Sequence, residues 1–317
     1  MAQPRRPATS ALAEAATRGP DATAYADNAA SAEHAEHAEH AIDEAEAAGN
    51  HRVSAHPNSE SLRFARASHS TRASRWPITQ RAQTAAPEWV AETRFGKWFL
   101  GTDTWLKYVL TDAVADLQSL AAPHLPDSID RLMDIGCGQG TAFPLLRQAF
   151  APAHLLGVDV DPDMLTSAGE LARSIDCPVE LQHGSVTRLN LPDSSIDVVF
   201  CHQLIHHVAD QVAALQELHR VLKPGGLLML SESCAAFIGS WPVRWLFRHP
   251  PGVQNDAGGY LELLRDTGFE FNRSDVRTYS PWWSLPDLGL RRRLGLAQEP
   301  DVATELMAVA RRASTHN

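Results

Sequence analysis

Residues 131–140, reading R-L-M-D-I-G-C-G-Q-G, constrain the fold of this chain more than any other stretch. Arg131 to Ile135 are apolar enough to form a short buried strand. Gly136, Gly138 and Gly140 then alternate, and residues 141–150 read as a helix. Glycine reaches positive φ without steric cost and lets backbone approach a ligand closely. The helix that follows presents free N–H groups at its start. A strand, an alternating glycine turn and a helix in that order are expected to form a ligand-binding turn, with the carboxylate of Asp134 at the strand's end.

The spacing helps to choose the ligand. A dinucleotide turn reads G-x-G-x-x-G and seats a pyrophosphate on the helix N-terminus. Here the pattern is G-x-G-x-G, with Thr141 where the last dinucleotide glycine would fall. An acid at the turn suits a cationic or hydroxylated ligand better than a diphosphate. A second apolar run, residues 154–159, ends in Asp159, about 20 residues past the glycines, where nucleotide-binding βαβ units place a ribose-binding carboxylate.

Together with DPDML at 161–165, LPDSSIDVV at 191–199, HVAD at 207–210 and VLKPGGL at 221–227, these features resemble class I S-adenosylmethionine (SAM)-dependent methyltransferases, in the small-molecule branch (methyltransferase type 11, UbiE-like). The resemblance is close over residues 130–233 and loose to 312. It implies a Rossmann-like α/β fold, doubly wound around a mostly parallel seven-stranded sheet, with SAM as cofactor. It implies that Asp134, Gly136, Gly138 and Gly140 position the methionine part of SAM, that Asp159 holds both ribose hydroxyls, and that Val160, Ser185, Val186 and Cys201 complete the cofactor site. The family often has an acid where Ser185 stands. Serine accepts the adenine amino group more weakly, or the Val186 backbone serves instead.

Hydrophobic periodicity gives the rest of the core: strands at 130–135, 154–159, 178–184, 196–201 and 226–232, with helices at 141–150, 162–173 and 210–222. Such alternation implies a parallel sheet covered on both faces, and ligands bind beyond the carboxyl ends of its strands. Asp134, Asp159, Ser185 and the segment CHQLIHH at 201–207 all fall at such ends. His202 and His206 are the preferred candidates for removing a substrate proton, since an unperturbed imidazole titrates near neutrality. His207 belongs to an H-H-V string common in the resembled family and is expected to be packed.

Residues 1–85 differ in kind. Alanine fills more than a third of the first fifty positions and A-E-H repeats three times over residues 32–40. This segment cannot bury enough surface to offset chain entropy and is expected to be a disordered tail and linker. Its His34, His37 and His40 could bind a metal loosely. Residues 86–317 are expected to form the methyltransferase domain, with cap helices at 86–122, the cofactor core at 130–233 and substrate-side elements at 234–317. The cap helices either lie over the cofactor or cover the sheet, or both. Helix 256–267, a strand at 269–278 and a last antiparallel strand at 304–311 follow, interrupted by aromatic insertions that suggest an apolar or aromatic acceptor.

The chain carries a net charge of −10, of which residues 86–317 contribute −9, with 19 basic and 28 acidic residues. That balance gives no electrostatic reason to bind nucleic acid or an anionic membrane. Four scattered cysteines show neither a disulfide framework nor a zinc pattern, so the reading is of a cytoplasmic protein with no metal. No apolar run is long enough to span a membrane and no signal-peptide core is present. The expected activity is methyl transfer to a small molecule. The alternatives are a nicotinamide-dependent oxidoreductase and a non-catalytic SAM-binding protein. Oligomeric state is not legible.

Overall fold

The computed structural model describes residues 92–285, 287, 290–296 and 302–314. The expected disordered tail, with its A-E-H repeat, lies outside the described residues. The core is a sheet of β1 (Arg131–Ile135), β2 (His154–Asp159), β3 (Val179–His183), β4 (Ile196–His202), β5 (Leu222–Ser233), β6 (Phe269–Glu270), β7 (Val276–Tyr279) and β8 (Glu305–Arg312), in the order β3-β2-β1-β4-β5-β8-β6. The first five strands run parallel, and β8 is antiparallel to β5.

Buried parallel strands read as continuous apolar runs, and their alternate residues feed two cores. Met133, Ile135, Leu156, Val158, Val199 and Leu228 face one side, packed under the helix Gln211–Val221. Leu132, Leu155, Val198, Phe200, Leu227 and Met229 face the other, under the helices Thr111–Ala121 and Phe143–Phe150. The sheet is thus doubly wound. Its strand order reverses between β1 and β4, so a crevice opens beyond their carboxyl ends, where ligands of such sheets bind.

Two elements differ from the sequence reading. The strand expected at 269–278 is split into β6 and β7, which pair in succession along one edge of β8. The cause is a capping box: Asp275 accepts the Asn272 amide, and Asn272 caps the single turn Arg273–Asp275 between the two strands. The sheet remains seven strands wide. The helix expected from Trp105 starts instead at Asp103, capped by the Thr102 hydroxyl, and widens into a π-turn over Leu106–Leu110.

The cap segment covers the sheet and also reaches its carboxyl edge. Its helix Thr111–Ala121 covers the sheet, with Leu117 and Ala121 fully buried. Its first helix, Arg94–Phe99, reaches the carboxyl edge instead. There Lys97 pairs with Asp161, and the Gln139 side chain donates to the Lys97 carbonyl at 2.9 Å.

Candidate active site

All three glycines of the turn are left-handed, with φ of 75°, 53° and 78° at Gly136, Gly138 and Gly140. A side chain at Gly136 would strike Leu204 at 2.9 Å, and one at Gly140 would strike Phe143 at 2.7 Å and the Ala168 backbone at 3.2 Å. Those two glycines are there for packing. Gly138 differs, since a Cβ there meets nothing within 4 Å. It is the point of the turn that a ligand can approach.

The turn's amides are already occupied. Gly136 and Cys137 both donate to the Val158 carbonyl (2.8 and 3.1 Å), and Gly140 donates to the Cys137 carbonyl (2.8 Å). Gly138 donates to Asp159 Oδ2 at 2.8 Å. A pyrophosphate would therefore find these four amides committed and two carboxylates beside them. This is the reverse of an anion-binding turn.

Asp134 is 3% exposed and its Oδ2 is buried without a hydrogen-bond partner. Burial, together with the nearby Asp159 charge, pushes its carboxyl up to about 8. Orphaned buried carboxylate oxygens are rare in native structures because each costs desolvation energy. A cationic ligand group is the partner that would remove the cost.

Asp159 sits in a different environment. Its Oδ2 accepts from Gly138 and its Oδ1 accepts from the Asp161 amide at 2.8 Å. A carboxylate can accept about four hydrogen bonds, so two acceptor positions remain for a vicinal diol. Burial raises its pKa, against the backbone hydrogen bonds that lower it. Asp161, one turn further, is raised by burial, but its hydrogen bonds from Lys97 and backbone amides outweigh that and leave it lowered.

The remaining expected cofactor residues line the same edge with less to offer from their side chains. Ser185 Oγ is 2.9 Å from Thr187 Oγ1 and accepts the Thr187 amide at 3.3 Å, so it is folded back on its own turn. The Val186 side chain belongs to the core. The Val160 carbonyl lies 3.0 Å from His183 Nε2. Cys201 is completely buried, and burial raises its thiol well above the ordinary range. Only its backbone can face the crevice.

At the end of β4 the imidazoles separate by role. The His202 ring lies between Phe200 and Trp105, at centroid distances of 5.8 and 5.6 Å. Its Nε2 is buried with no partner. Burial, aided by His206, brings it down to about 3, so it is a neutral imidazole rather than one that titrates near neutrality. His206 is fixed elsewhere, with Nδ1 2.6 Å from Glu232 Oε2. The same Glu232 carboxylate accepts the amides of Leu204 (3.0 Å), Ile205 (2.7 Å) and His206 (3.4 Å). It therefore holds the whole turn Ile205–His207 in place.

An aromatic wall continues from His202. Trp105 packs edge-on against Phe99 at 5.7 Å, and Phe99 against Phe247 at 6.0 Å. These are ordinary edge-to-face separations. Trp105, Phe99 and Lys97 were not singled out from sequence as site residues, because they come from segments far from the motifs, and Phe247 stood out only as part of an aromatic insertion. Glu232 left a local signal, since it is an acid just past the apolar run at 227–230 of β5.

Residues 133–230 match the family model described as a methyltransferase domain. Over 162 residues, 50% of this chain, it is 33% identical to 27-O-demethylrifamycin SV methyltransferase of Amycolatopsis mediterranei, covering 51% of that protein. Over 149 residues, 47% of the chain, it is 28% identical to phosphoethanolamine N-methyltransferase 3 of Arabidopsis thaliana, covering 30% of it. The chain thus spans about half or less of the length of these curated relatives. A solved SAM-dependent methyltransferase from Mesorhizobium loti aligns over 64% of this chain and all of its own, with 23% identity and a TM-score of 0.48.

Proposed function

We propose that residues 133–230, which match a methyltransferase domain model, form a class I SAM-dependent methyltransferase domain and that the chain uses it to methylate a small apolar or aromatic molecule. The observation that carries the reading is the unpartnered Asp134 oxygen beside an open Gly138. SAM is cationic at both its ammonium and its sulfonium and carries a ribose diol. The residues present fit those groups: Asp134 for the cationic methionine part, the remaining acceptor positions of Asp159 for the diol, and the Val186 backbone for adenine. When bound, SAM supplies an activated methyl group, so the hard chemistry belongs to the cofactor.

The protein's task is then to orient the acceptor and exclude water. Phe99, Trp105 and Phe247 supply an apolar wall for that purpose. His202, neutral and with its Nε2 unpaired in that wall, is suited to accept a hydrogen bond from the acceptor's O–H or N–H and so direct the attacking lone pair. At about 3 it is too weak a base to carry a full proton at neutral pH. Relatives named 27-O-demethylrifamycin SV methyltransferase and phosphoethanolamine N-methyltransferase 3 support a small-molecule acceptor.

Calorimetric titration of the purified chain with SAM and with NADH separates this reading from a nicotinamide enzyme. SAM should bind and NADH should not; tight NADH binding with no SAM binding would overturn it.

The pH dependence follows from Asp134. Below about pH 4 its carboxyl is protonated in both folded and unfolded chains and contributes nothing. As pH rises, the unfolded chain ionises while the folded carboxyl stays protonated to about 8, so stability falls across that window. Asp134→Asn removes the loss. Ligand-free Tm should rise above the parent, and by more at pH 8 than at pH 5. SAM binding should weaken in the same variant. Binding to the parent at pH 7 should release about one proton, read from calorimetry in two buffers of different ionisation enthalpy. A variant no more stable than the parent at pH 8 would contradict the assignment.

A further inference from the structure

The cysteines show no zinc pattern, yet the fold brings three imidazoles together from two distant segments. Among the described residues, His206, His207 and His249 each offer a ring nitrogen, all within 4.8 Å of one another. Their ring centroids are 4.3 Å (His206–His207), 4.8 Å (His207–His249) and 5.3 Å (His206–His249) apart. We infer that these three histidines form a binding site for a zinc-class divalent ion, clasping the segment around His249 onto the turn at the end of β4.

Two further observations point the same way. A metal-binding imidazole usually gives its other ring N–H to a carboxylate or backbone carbonyl, which fixes tautomer and orientation. His206 has such an arrangement, with Nδ1 on the fully buried Glu232 carboxylate, which leaves the lone pair at Nε2. Close packing of three like rings also has no rationale in apolar contact alone. Neutral imidazoles without a thiolate suit zinc, cobalt, nickel or copper.

The geometry needs only a small closure. A tetrahedral zinc with bonds of about 2.0–2.1 Å holds its nitrogens about 3.3 Å apart. Movement of about 1 Å in the rings reaches that spacing from the separation described. Three protein nitrogens leave a fourth position for water. The segment that carries His249 is already tied to this turn, since Gln254 donates to the His206 carbonyl at 3.1 Å and Gln211 bridges the carbonyls of Ile205 (3.0 Å) and Val253 (2.8 Å). An ion would complete a clasp that these amides begin.

The test is a Co2+ titration of the full chain after chelator treatment, read by the visible absorption of the bound ion, with Zn2+ displacing it. One equivalent should give the intense bands of a four- or five-coordinate site. His249→Ala should lower Co2+ affinity at least tenfold. His249→Cys should restore binding and add a near-ultraviolet thiolate-to-cobalt band, which a misfolded protein would not show. A variant with all six tail histidines (His34, His37, His40, His51, His56 and His69) changed to Ala should leave the spectrum intact. Absence of the bands in the parent chain, or bands unchanged in His249→Ala, would overturn the inference. So would bands lost only with the tail histidines.

Discussion

Asp159→Ala is expected to weaken SAM binding by about a hundredfold. The figure rests on two hydrogen bonds to a charged acceptor, worth about 1.5 kcal/mol each at the lower end, with 1.4 kcal/mol to each factor of ten. The same carboxylate also accepts the Gly138 and Asp161 amides, so the variant loosens the turn as well. Calorimetry with S-adenosylhomocysteine, which lacks the sulfonium charge, tells the two effects apart. A ribose-holding Asp159 predicts equal losses for both ligands. A purely electrostatic role predicts that SAM suffers far more, and unchanged affinity for both would remove Asp159 from the site.

A paired substitution in the glycine turn should separate ligand approach from packing. Gly138→Ala faces open space and carries only the penalty of a left-handed alanine, about 1–2 kcal/mol. It should fold, yet lose SAM binding by tenfold or more, because the new methyl group occupies the approach to the turn. Gly140→Ala carries the same conformational penalty and also drives its Cβ onto Phe143 and the Ala168 backbone. It should lose about 3 kcal/mol or more of stability, since overpacking adds about 1–3 kcal/mol, or fail to accumulate as folded protein. Denaturant unfolding and SAM titration of both variants provide the check. Equal stability losses would show that the two glycines do the same job.

Much of this fold was legible from the chain because its strands are buried on both faces and read as apolar runs ending in acids and glycines. Asp134, Gly138 and Asp159 stood out for the same reason: each interrupts an apolar pattern at a strand's end. Other features depend on contacts that no local pattern encodes. The order of free and committed amides in the turn is set by where β2 places the Val158 carbonyl. The neutral state of His202 follows from burial between Phe200 and Trp105, and the latter arrives from 97 positions earlier in the chain. His249 meets His206 and His207 across 41 residues of unrelated sequence. The break between β6 and β7 was visible in principle, since Asn272 and Asp275 have capping-box spacing, but the apolar residues around them read as one strand.

Exposed aromatics set a limit on reading composition as pocket. Trp241 and Trp245, counted among the aromatic insertions that suggested an apolar acceptor, are nearly four-fifths exposed, whereas Phe247 of the same segment packs against Phe95 and Phe99. The aromatic wall therefore rests on fewer residues than the sequence offers.

The central claim is that Asp134 and Asp159 hold one cationic nucleoside between them. A crystal structure of the full chain with S-adenosylhomocysteine tests it most directly. The account predicts both ribose hydroxyls on Asp159, the ligand's ammonium on the Asp134 side of the turn, and its backbone approach at Gly138. Ligand density away from the β1 and β2 edge, with the Asp134 oxygen still unpartnered, would contradict it.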